Sequence, residues 1–124
     1  MRSASRNPIL QKSKVMQADP RTWTTNEYEA FVLLIAAASD LDMAIEEKRP
    51  IMAKAGDRWN DLLNHFRSMN DAERIDVLMA GRATHLPTAA DQERLLGEIR
   101  AIFEADSNYA DIERGVMSIL RKLI

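Results

Sequence analysis

Thr24-Thr25-Asn26-Glu27-Tyr28-Glu29-Ala30-Phe31-Val32-Leu33-Leu34-Ile35-Ala36-Ala37-Ala38 is the stretch on which the fold turns. Thr24 with Glu27 three residues on makes a capping box, in which hydroxyl and carboxylate satisfy the free amides of a helix start reciprocally. From Tyr28 to Ala38 the run is apolar on nearly all sides. A helix of that kind has no face to offer water, so it belongs in the middle of a fold.

The remaining chain supplies apolar stripes to surround it. Ala44 to Gly56 reads as a second helix, with Gly56 just past its end. Pro50 lies inside it, where the missing N–H and a steric clash predict a kink or a late start. A third helix, Asp57 to Met69, places Trp59, Leu62, Leu63 and Phe66 at helical spacing. Asn70 with Glu73 opens a fourth, which carries Ile75, Val77, Leu78 and Met79 and stops at Leu86-Pro87-Thr88. Thr88 caps a fifth to about Ala105, with Leu95, Ile99, Ile102 and Phe103 as its apolar face. A sixth reads Ile112, Val116, Met117, Ile119, Leu120 and Leu123. No stretch alternates with period two over a strand length. The expectation is an all-α, single-domain bundle of about six to seven helices over residues 23–124.

Composition agrees with one soluble core: 124 residues, 46% apolar and 29% charged. With no cysteine there is no disulfide framework, thiolate nucleophile or Cys-ligated metal, and a reducing compartment is the natural setting. No apolar run approaches the ~20 residues that span a bilayer, and Met1-Arg2-Ser3-Ala4-Ser5-Arg6 is not the start of a secretory signal. A cytoplasmic protein is expected. Residues 1–22 hold Arg2, Arg6, Lys12, Lys14 and Arg21 against Asp19 alone, while the whole chain is −2. This basic arm, with Ile9, Leu10, Val15 and Met16 as material for one short helix, reads first as a solvated tail. Any contact with a membrane surface would run through it.

One acidic phrase occurs twice. Asp40-Leu41-Asp42-Met43-Ala44-Ile45-Glu46-Glu47-Lys48 is echoed by Asp106-Ser107-Asn108-Tyr109-Ala110-Asp111-Ile112-Glu113-Arg114. Each copy follows one apolar helix and opens another, which implies two helical hairpins related by a pseudo-twofold. Packed so that the turns meet, Asp40, Glu47, Asp106 and Glu113 would converge. Four carboxylates repel one another, and a hard divalent cation such as Ca²⁺, Mg²⁺ or Mn²⁺, which prefers oxygen ligands, would remove that cost. Helix capping explains the same residue types without an ion, since carboxylates at a helix start are stabilising by ~0.3–1 kcal/mol each. The phrase is not an EF-hand: Ala44 stands at the fifth position and the Glu comes at the eighth.

At these residues the chain resembles the tellurite-resistance TerB family of small all-helical proteins. The family signature is an apolar helix ending in Ala-Asp, a short turn, and a Glu opening the next helix. Ala38-Ser39-Asp40 with Glu47, and Glu104-Ala105-Asp106 with Glu113, are similar to it. The Asn70-Asp71-Ala72-Glu73-Arg74 start and the Leu86-Pro87-Thr88 break extend the likeness over residues 25–124. It implies a pseudo-symmetric bundle with an acidic metal-binding cluster at Asp40, Glu47, Asp106 and Glu113. It also implies a non-enzymatic role in bacterial stress response, with a protein partner. Where the family often has Gly after the Asp, this chain has Leu41 and Ser107, which do not reach left-handed backbone angles as freely.

Other chemistry is sparsely signalled. His65 and His85 lack zinc-ligand spacing and read as helix-surface or core-edge residues. The glycines are isolated, so no phosphate loop or nucleophile elbow exists. The methionines read as core gap-fillers, and Trp23 and Trp59 as packing anchors. Residues 57–69 balance Asp57 and Asp61 against Arg58 and Arg67, too neutral for a recognition helix, and no nucleic-acid partner is expected.

Overall fold

The computed structural model describes residues 18–37, 45–104 and 111–124, with the side chains of 45–48 and 111–113 left aside. The chain is all-helical, and no strand occurs among the described residues. A 3-10 turn, Pro20–Thr22, leads into α1 (Thr25–Ala37). Then come α2 (Ile45–Ala55), a second 3-10 turn (Gly56–Arg58) and α3 (Trp59–Arg67). The chain finishes with α4 (Asp71–His85), α5 (Ala89–Glu104) and α6 (Asp111–Leu123).

The helix starts follow from local hydrogen bonding. The Glu27 amide donates to Thr24 Oγ1 at 3.1 Å while the Thr24 amide donates to Glu27 Oε1 at 2.9 Å. Asn70 and Glu73 repeat the exchange at 2.8 and 2.9 Å. At α5 the Asp91 amide donates to Thr88 Oγ1, and that hydroxyl donates back to Asp91 Oδ2. Each pair satisfies donors that a helix start would otherwise leave free.

Gly56 ends α2 at φ 58°, the left-handed angle an L side chain resists. The sequence predicts that α3 begins at Asp57; instead Gly56–Arg58 forms a tighter 3-10 turn and α3 begins at Trp59. α2 runs from Ile45 to Ala55 with Pro50 inside it, and Pro50 is exposed. On that outer face, water can take the place of the one backbone bond proline removes.

α1 is the axis of the molecule. It touches all the other α-helices, and Tyr28 to Leu34, with Ala36 and Ala37, is buried. α2, α3, α4, α5 and α6 close around it with Ile51, Leu62, Phe66, Leu78, Ile99, Phe103 and Leu120. Trp23 caps one end of this core, its ring 5.4 Å from that of Phe31 and edge-on to His65.

Candidate functional site

The turns that hold Asp40 and Asp106 lie outside the described residues. Glu47 and Glu113 fall in the first turns of α2 and α6, with their side chains likewise outside the description. Among the described residues no three His, Asp or Glu side chains come together as metal ligands.

What the described residues do bring together is an apolar groove. Ile35 of α1 and Phe66 of α3 form its base, and Ile75 of α4 faces Val116, Ile119 and Leu120 of α6 across it. The cavity is about 310 Å³ and open to solvent. Ile119 lines it 56% exposed, continuous with the buried Leu120 and the partly buried Val116 of the same helix. Arg74 and Asp71 are the charged residues of the described lining. The Arg74 guanidinium lies 3.9 Å from the centre of the Phe66 ring and donates twice to the Phe66 carbonyl, from Nε at 3.0 Å and Nη2 at 2.9 Å. Nη1 also reaches Asp71 Oδ1 at 3.2 Å. A cation held this firmly over an aromatic face is a fixed feature of the rim.

A second polar cluster ties the bundle together. Glu29 is buried in α1, where it accepts from Lys54 Nζ at 2.7 Å and from both terminal nitrogens of Arg94, at 3.1 and 2.6 Å. Glu98 completes the set, 3.0 Å from Lys54 and 2.8 Å from Arg94. Two cations thus face two carboxylates across α1, α2 and α5. Burial on its own would raise the Glu29 carboxyl; the hydrogen bonds from Arg94 and Lys54 outweigh it and hold the group below its ordinary range. Burial likewise works to lower Lys54, and its bonds to Glu29 and Glu98 raise it instead.

The histidines divide. His85 is buried at the end of α4, stacked on Tyr28 at 4.8 Å. Its Nε2 is 2.8 Å from the Pro20 carbonyl, which can only accept, so Nε2 carries the hydrogen. Nδ1, 3.0 Å from Thr25 Oγ1, is then the acceptor in the neutral ring. Tyr28 in turn donates to the Leu78 carbonyl at 2.6 Å, and burial pushes its phenol up. His65 is half-buried between Trp23 and Phe31, and burial pushes its imidazole down.

Sequence reading missed both clusters. Glu29 carried a signal, as the one charge inside an otherwise apolar run, but nothing local names Lys54 and Arg94 as its partners. The methionines also depart from expectation: Met117 is buried, but Met52 and Met79 are exposed. No family model, curated protein or solved structure matches the chain.

Proposed function

We propose that the chain is a non-enzymatic, TerB-like binding module whose groove between α1, α3, α4 and α6 receives an amphipathic helix of a partner protein. The observation that carries this reading is the open apolar groove with Ile119 exposed in its lining. The type of occupant follows from elimination. Adding a strand requires a sheet edge, and the described residues contain none; a polyproline segment favours a groove lined with several aromatics, and Phe66 is the one aromatic among the described residues of this lining. A helix face with apolar residues at i, i+3 or i+4 and i+7 matches a groove whose described lining comes from four helices. A binding rather than catalytic role is supported by the buried polar side chains, since Glu29, Tyr28 and His85 are each engaged in structural hydrogen bonds.

Selection from a displayed library of helical peptides tests this. The expected winners share the apolar spacing, and lose at least about tenfold in affinity for Ile119→Asp. Because Ile119 is exposed, that variant should fold normally. Winners indifferent to Ile119→Asp, or no enrichment at all, would remove the groove from the account.

A second reading rests on the repeated acidic phrase: Asp40, Glu47, Asp106 and Glu113 join under the pseudo-twofold to hold Ca²⁺, Mg²⁺ or Mn²⁺. Its competitor is a purely structural or protein-interaction module in which these carboxylates only cap helices. Cation-dependent stability separates the two.

A further inference from the structure

We infer that the helix received by the groove belongs to a second copy of this chain, in a twofold dimer built on α4 and α6; this rests on the groove reading above. The two helices run in the same direction. Ile75, near the start of α4, shares the groove lining with Val116 and Ile119, and at the far end Arg82 Nη1 donates to the Leu123 carbonyl at 2.6 Å. The pair carries two of the three large apolar side chains exposed among the described residues, Met79 at 39% and Ile119 at 56%. Met79 Sδ is 4.0 Å from the same Arg82 nitrogen, which places it on the side of α4 toward α6. Along α6, Val116, Ile119 and Leu123 fall at i, i+3 and i+7, and none of them is fully buried. That is the stripe the groove calls for, and the chain supplies it beside the groove itself. A surface holding both a cleft and the helix that fits it can pair with its own copy about a twofold axis.

Charge sets the orientation. The first halves of α4 and α6 hold Asp71, Glu73, Asp76, Asp111 and Glu113 against Arg74 and Arg114. Their second halves hold Arg82, Arg121 and Lys122 with no carboxylate side chain. Because the helices are parallel, one end of their shared face is acidic and the other basic. A twofold axis across the helices sets the acidic end of each copy on the basic end of the other, whereas an axis along them would set like on like. Met79 and Ile119, near mid-length of their helices, then lie next to the axis. Asp76 and Lys122 are exposed and make no ion pair or hydrogen bond among the described residues. Two such helices side by side present a face of roughly 20 by 20 Å, or about 400 Å². That is about half of the ~800 Å² per partner in a standard interface, so the dimer exchanges with the monomer.

Sedimentation equilibrium of the full chain, from about 10 μM to 1 mM, is the test. The mass should climb from one chain toward two, and Ile119→Asp should hold it at one throughout. Asp76→Lys reads the orientation: the dimer should weaken about tenfold, and adding Lys122→Asp should recover most of that loss. All three positions are exposed, so circular dichroism should show folded proteins. A single-chain mass at the top of the range, or a dimer indifferent to Ile119→Asp, would overturn the second copy as occupant. A dimer tightened by Asp76→Lys would overturn the antiparallel arrangement. Helical peptides that bind through Ile119 in a chain that stays single would keep the groove reading and overturn this inference alone.

Discussion

Glu29 is 1% exposed and would be untenable there as a lone charge, so its neighbours decide its energetics. Lys54 is largely buried and cannot re-solvate if the carboxylate is lost; Arg94 is 45% exposed and can. Breaking a fully buried pair costs ~3–5 kcal/mol, and the exposure of Arg94 places Glu29→Gln lower, at about 2–3 kcal/mol. Urea unfolding of the two proteins at neutral pH measures the difference. The acid side of the stability curve gives a second readout. The folded carboxyl titrates below the ordinary 4.5, so as pH falls the unfolded chain takes up the proton first. The Glu29 contribution is whole above about pH 5, and is lost as pH falls through 4.5 toward the folded value. Glu29→Gln should lack that part of the acid slope, whereas equal slopes would mean the ion pairs do not form in solution.

Among the elements, α1 and α4 approach most closely where Gly81 meets Tyr28. A Cβ on Gly81 would lie 2.5 Å from Tyr28 Cε1, and the ring cannot turn aside. Its hydroxyl is fixed to the Leu78 carbonyl and its face is stacked on His85. Alanine in mid-helix is normally favoured over glycine by ~0.8–1 kcal/mol, but overpacking a filled site costs ~1–3 kcal/mol. Overpacking therefore wins, and Gly81→Ala should lower the thermal midpoint. Gly97 is the control: it sits on the exposed side of α5 with nothing within 4 Å of an added Cβ. Gly97→Ala should be stabilising by about 0.5–1 kcal/mol, since only the propensity gain applies there. A pair of scans showing both changes neutral would contradict the close contact of α1 with α4.

At the scale of the whole molecule, the proposed joining of the acidic turns about a pseudo-twofold makes a claim about stability. A ligand of the native state at a hundred times its dissociation constant adds ~2.7 kcal/mol. For a domain of this size that corresponds to a midpoint rise of roughly 8–16 °C. The chelator-stripped protein should show such a rise with one of Ca²⁺, Mg²⁺ or Mn²⁺, and Asp40→Asn with Asp106→Asn should abolish it. No rise at millimolar ion would leave capping as the role of these carboxylates. The sequence by itself determined where helices begin, because Thr24, Asn70 and Thr88 act within three residues of their own position. It also determined which helix lies at the centre, because an all-round apolar α1 has no alternative to burial. Only the tertiary structure decided the rest. Glu29, Lys54 and Arg94 are held on three different helices, and the lining of the Ile119 groove comes from four. Pairings of that range depend on how helices rotate and cross, and side-chain packing at the contacts sets those angles, which no local pattern along the chain encodes.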